Sequence, residues 1–337
     1  MAEITSISQF LSTAKTQFQV YDLGRRVQHI DAMAFAQIEA LQAPYPYPIQ
    51  GHAKMALVFW DASEQYFVWF ISLPLDERGL LSPAPRSQFI QMILDALGQD
   101  LTRTLSEEEQ QKMANHPFSF KPTQEKLAVF NALVRRHLGR PASAQYEFAA
   151  QYLSGQLPAE HWPNVGFQGL ADISVRLSEL DHEAMVVRSL KKAPAEVQIA
   201  LCQCLEHVLI PEAVTEALLE GLAEHRDARQ IFFLRALGSQ ADASIQAVTL
   251  LAAKKLLTEE VLVCIAGRNW LALRDDSCRK TFLEALALTQ QDFFNQVFAD
   301  IVAIPALRTT MLTAIRDPNR SDALSRAIGG LFKATKS

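Results

Sequence analysis

Residues 194–222, PAEVQIALCQCLEHVLIPEAVTEALLEGL, read as two short helices joined by a tight turn. Pro194 and Pro211 stand where a first helical turn tolerates a residue without an N–H, because that donor would have no partner inside the helix. Val214, Leu218 and Leu222 keep the spacing of a helix with one apolar face, as do Ile245, Val248 and Leu251 further on. Comparable pairs begin near Phe167, Asp227, Thr258 and Gln290, and a last helix follows Asn319. The step is about 30 residues, and units of that size bury their apolar faces only by stacking on their neighbours. No residue signature recurs from unit to unit, so the repetition is one of size and pattern. The second half is therefore expected to be an all-α helical-repeat region.

Ahead of it the period changes. Residues 6–15 read as a short helix with Ile7, Phe10, Leu11 and Ala14 on one face. Phe18, Val20 and Leu23, then Val27 and Ile30, suggest two short strands turning around Asp22-Leu23-Gly24, where Gly24 is able to take a positive φ. Asp31 is placed to cap a helix over 32–41. The alternating prolines of Ala43-Pro44-Tyr45-Pro46-Tyr47-Pro48 hold that segment extended, as a stiff connector or a peptide-like surface. Residues 53–60 and 66–73 flank the polar turn 61–65 and form the clearest hairpin. Met55, Leu57 and Phe59 fall on one face, and Ala56, Val58 and Trp60 on the other. A sheet with a wet face alternates apolar with polar, so this one is expected to be covered on both sides, by its own helices and by the helical half or a second copy. Further helices are expected over 86–97, after Pro83 and Pro85, then from a capping box at Ser106–Glu109, over 124–138 after the cap Thr123, and over 144–153. The resulting division is 1–100 as an α+β domain with two β-hairpins, 101–166 as a helical connector, and 167–337 as the helical array.

Composition narrows the function classes. A hydrophobic share of 49% and a charged share of 20% suit a folded protein. The formal net charge is −5, and neither half is basic, which disfavours a reader of nucleic-acid phosphates. No apolar stretch approaches membrane-spanning length, and the first residues lack a charged n-region followed by an apolar core, so the expected compartment is the cytoplasm. Four cysteines in such a chain read as reduced thiols.

The residues that tempt a chemical reading each meet a plainer one. Cys202 and Cys204 sit two apart in a helix, on opposite sides, so they neither chelate one ion nor pair. His182-Glu183 lacks the second histidine of a zinc-peptidase helix, since Val186 holds that place. His207 and His225 are expected at surface or boundary positions. Arg135-Arg136-His137 and Lys191-Lys192 end helices, where cations oppose the helix dipole. The strongest polar cluster is Asp22, Arg25, Arg26 and His29. Its arginines are suited to holding a phosphate or carboxylate, and its alternative is a hairpin with a charged outer face. No glycine-rich phosphate loop, nucleophile elbow or calcium loop accompanies it. No catalytic, cofactor-binding or metal-ligating residue is assigned, and no cofactor is expected.

The paired helices of the second half resemble HEAT-type repeats, whose stacking gives an α-solenoid. The segment Tyr21-Asp22-Leu23-Gly24-Arg25-Arg26 and the general layout resemble an uncharacterised bacterial protein family of about this length, which implies no activity and supplies no catalytic residue. The expectation is an α+β N-terminal region followed by a HEAT-like array, mostly α overall, acting as a non-enzymatic protein–protein interaction adaptor. A semi-rigid array loses little entropy when it binds. The alternatives are a small-molecule or enzymatic site around Arg25, Arg26 and His29, and, third, nucleic-acid binding along Arg268, Arg274, Arg279 and Lys280. The expected partner is another protein, with no membrane, nucleic acid disfavoured, and a homodimer left open.

Overall fold

A computed structural model describes residues 6–61, 65–97 and 116–334. The chain divides into two compact units, Met1–Pro122 with Ala303–Ala306, and Thr123–Val302 with Leu307–Ser337. The first carries a small antiparallel sheet, the second is helical, and the protein is mostly α.

In the first unit, strands β1 (Gln17–Asp22), β2 (Gln28–Ile30), β3 (His52–Trp60) and β4 (Tyr66–Pro74) stand in the order β2-β1-β3-β4, all neighbours antiparallel. The expected hairpin is β3–β4, with Val58 opposite Val68. Helices α1 (Ile7–Thr13), α2 (Ala32–Glu39) and α3 (Pro83–Leu97) accompany the sheet. Ser6 accepts from the N–H of Gln9, and Asp31 from those of Met33 and Ala34, so each side chain satisfies donors that a helix start leaves bare. Helix α3 begins at Pro83, three residues before the expected start, because Pro83 and Pro85 both fall in the first turn, where no i−4 partner is forfeited.

Met55, Leu57, Phe59, Ile71 and Leu73 share one core with Phe10 and Leu11 of α1, Phe35 and Ile38 of α2, and Phe89 and Ile93 of α3. Ala56 and Val58, on the opposite face of β3, are also buried. The doubly apolar pattern thus corresponds to a strand sealed on both faces. The outer edge of β4 is partly closed by residues 118–120: Ser72 N donates to Phe118 O at 2.7 Å, and Ile71 bridges Ser119. Such cover removes the bare N–H and C=O row that invites edge-to-edge pairing. The expected capping box at Ser106 lies outside the described residues.

The second unit runs α4 (Gln124–His137), α5 (Tyr146–Leu153), α6 (Phe167–Ser174), α7 (His182–Lys192), α8 (Ala195–Leu205), α9 (Glu212–Glu224), α10 (Arg229–Ala236), α11 (Ala241–Ala253), α12 (Glu259–Gly267), α13 (Asp276–Leu286), α14 (Gln291–Ala303), α15 (Pro305–Ala314) and α16 (Asp322–Ala334). Two rows form. In one, α4, α6, α8, α10 and α12 pack successively, and in the other α5, α7, α9, α11 and α13 do so. Thr123, Thr258 and Asp275 cap α4, α12 and α13 through the N–H three residues on. The interior is aliphatic, with Leu201 and Leu205 of α8, Leu218 and Leu222 of α9, and Phe233 and Leu234 of α10 all at or near zero exposure. Among the described residues no helix is long and apolar enough to cross a membrane.

Candidate functional site

The polar cluster of the first unit closes the turn between β1 and β2. Asp22 is fully buried. Its Oδ1 accepts from Gly24 N at 3.1 Å and from the Tyr45 hydroxyl at 2.7 Å, and its Oδ2 from Arg25 N at 3.1 Å and Arg26 N at 3.4 Å. A carboxylate folding the chain behind it in this way is a familiar role for aspartate in turns. Arg25 is 1% exposed, and its Nε donates to Pro48 O at 2.9 Å. Arg26 reaches Gln28 Oε1 at 2.8 Å.

These contacts tie together two stretches that are separate in sequence. Tyr45, at 0% exposure, and Pro48 belong to the proline-rich segment, which Asp22 and Arg25 clamp in place. Burial, followed by the neighbouring Asp22 charge, pushes the Tyr45 phenol well above its ordinary pKa, so it remains a hydrogen-bond donor. Gly24 is not in the left-handed region. A Cβ there would stand 2.9 Å from Ile49 Cγ2 and 3.1 Å from Asp22 Oδ1, so the glycine is required by close approach rather than by positive φ. Asp22, Arg25 and Arg26 are buried, which removes the picture of a charged outer face. His29 stands apart, exposed on β2 with its ring edge-on to Tyr21 at 5.4 Å.

The second unit contains a polar centre that the sequence alone did not single out. Glu206, the residue after α8, is 1% exposed. Arg235 on α10 holds it with both arms of its guanidinium, Nε to Oε2 at 2.8 Å and an Nη to Oε1 at 2.9 Å. Arg268, just past α12, adds Nε to Oε2 at 3.2 Å. His207 Nε2 lies 3.3 Å from Oε1, and this histidine is buried, against the expected boundary position. Burial works to raise the Glu206 pKa, but the charges of His207, Arg268 and Arg235 and the Arg235 hydrogen bond outweigh it and bring it down to about 2. The clue in the sequence is Arg235 itself, a single cation inside the apolar run Ile231-Phe232-Phe233-Leu234-Arg235-Ala236-Leu237.

All four cysteines are buried and unpaired. Burial pushes the thiols up, Cys264 to about 12 and Cys278 to about 11, with Cys202 and Cys204 also raised, so none is a thiolate at neutral pH. His182 is engaged at both nitrogens, Nδ1 2.8 Å from Arg176 O and Nε2 2.8 Å from the Tyr146 hydroxyl. Arg176 in turn pairs with the buried Asp172 at 3.0 Å. Among the described residues no group of three or more His, Cys, Asp or Glu side chains is placed to hold a metal ion.

A family model described as "Protein of unknown function (DUF3549)" matches residues 2–332, and the chain belongs to that family. Neither the curated proteins nor the solved structures returned a match.

Proposed function

We propose that this member of the DUF3549 family is a non-enzymatic cytoplasmic adaptor that binds another protein on the exposed surface of its HEAT-like helix pairs. The observation that carries the reading is the two-row packing of α4 to α13, a semi-rigid surface built from many short elements. Its interior polar groups support this reading, because Glu206, His182 and Asp172 are engaged by partners within the fold. Exposed Glu212, Glu216, Glu220 and Glu224 recur every fourth residue on α9, which favours a partner with a basic segment. The alternative of a ligand held by Arg25, Arg26 and His29 has less support, since Asp22 and Arg25 hold the proline-rich segment. Nucleic-acid binding is also less favoured, as Arg268 is engaged by Glu206 and Arg279 by main-chain carbonyls.

The test is affinity purification of the full chain from its native cells, with crosslinking before lysis. The expected result is one protein in near-equal amount, with crosslinks on 167–334, lost when Glu212 and Glu216 are both changed to Lys. Recovery of the 37.6 kDa chain alone would overturn the proposal.

A further inference from the structure

Within the second unit a recess of about 700 Å³ opens between the first turns of α13, the end of α15 and the turn leading into α16. Arg279, Lys280, Arg316 and Arg320 line it together with Asp276, Glu284 and Asp317, so cations outnumber carboxylates by one in a chain whose net charge is −5. The carboxylates are already engaged. Asp276 accepts from Arg279, Glu284 from the N–H and hydroxyl of Ser321, and Asp317 from Asn319 N at 2.8 Å.

Two of the cations are fixed by main-chain carbonyls. Arg279 donates to Leu273 O and Arg274 O at 3.1 and 3.2 Å, and Arg320 to Ile315 O and Asp317 O at 3.2 and 3.0 Å. Their charge is thereby held at the recess without a mobile side chain. Lys280 and Arg316 are different. Both are exposed and line the same space, and neither side chain makes a hydrogen bond or ion pair among the described residues. Leu283, Pro318 and Leu324 supply an apolar wall beside them.

This combination has the size and chemistry of a small-molecule site, which is mostly apolar with a few convergent polar groups and about 300–1,000 Å³ in volume. A guanidinium fork and an ammonium placed together match the oxygens of a phosphate. We infer that the recess binds an organic phosphate about the size of a nucleoside monophosphate. Lys280 and Arg316 contact its phosphate, Arg320 adds fixed positive potential, and the apolar wall takes the organic part. The inference does not rest on the protein-binding role proposed above.

The experiment is thermal denaturation of the full chain with adenosine 5′-monophosphate, inorganic phosphate or adenosine, at ionic strength matched with sodium chloride. Adenosine monophosphate at ten times its dissociation constant is expected to raise Tm by about 2 °C, inorganic phosphate less, and adenosine not at all. Lys280→Ala/Arg316→Ala is expected to melt as the wild type does without ligand, because neither side chain is bonded, and to lose the ligand shift. Arg316→Gln alone should weaken binding about tenfold, as one charged hydrogen-bonding group contributes on that scale. No shift with millimolar adenosine monophosphate, or an undiminished shift in the double variant, would overturn the inference. An equal shift with adenosine would do the same for the phosphate, and an equal shift with inorganic phosphate for the apolar wall.

Discussion

Replacing Glu206 by Gln keeps the shape and removes the charge that three basic side chains surround. Its carboxyl titrates at 4.5 in the unfolded chain and at about 2 when folded, after burial is outweighed by the neighbouring cations. A difference of that size corresponds to roughly 3 kcal/mol, at about 1.4 kcal/mol per pH unit. Removing one partner of a buried pair also strands the others without compensation, which typically costs about 3–5 kcal/mol. Because the folded value is the lower one, the stabilisation is complete above 4.5, shrinks as pH falls from there to about 2, and vanishes below both values. Urea unfolding followed by helical circular dichroism should therefore show Glu206→Gln weaker by about 3 kcal/mol at pH 7, with the gap closing between pH 4.5 and 2. Changing Glu206, Arg235 and Arg268 together to Met should bring the chain back to within about 1 kcal/mol of wild type, since an apolar set of similar volume leaves no stranded guanidinium or carboxylate. A Glu206→Gln chain as stable as wild type at pH 7, or a gap that persists at pH 2, would refute the reasoning.

Tyr45→Phe removes the 2.7 Å hydrogen bond to Asp22 and should cost about 1–2 kcal/mol by chemical denaturation, because the acceptor is a buried carboxylate. Two glycines should respond in opposite directions. At Gly169 a Cβ would lie 2.4 Å from Gln145 O, so Gly169→Ala should destabilise by about 1–3 kcal/mol. At Gly329 a Cβ meets nothing within 4 Å, so Gly329→Ala in α16 should stabilise by about 0.5–1 kcal/mol. Buried thiols with raised pKa values should resist a disulfide reagent at pH 8 in the native chain and react fully in urea. Rapid labelling of the native protein would contradict that.

Much of the fold was legible because helix pairing and strand alternation are local patterns. The pairs expected near Phe167, Pro194, Asp227, Thr258 and Gln290 correspond to helices starting at Phe167, Ala195, Arg229, Glu259 and Gln291. The β3–β4 hairpin was equally visible, as was the burial of β3 on both faces. The candidate sites were less legible, for a physical reason. Asp22, Arg25 and Arg26 stand out as a cluster, but what they hold, Tyr45 and Pro48, lies 23 residues away from Asp22 and Arg25. Glu206 meets Arg268 across 62 residues, a pairing that no spacing rule suggests. Gly24 misled for a similar reason: the turn signal was correct, but its cause was a neighbour, Ile49, that only the fold brings close.

Arg268 reaches Glu206 past the α10–α11 pair, so three successive members of one row share a single carboxylate. A stacked array in general lengthens or shortens by gaining or losing a whole pair, because each pair meets only its neighbours. That freedom is withdrawn here. Excising α10 and α11 would remove Arg235, and inserting a pair after α11 would carry Arg268 beyond the reach of its side chain. The number of pairs between α8 and α12 is therefore constrained by charge as well as by apolar packing. Descendants of this chain that change in length should do so outside residues 206–268.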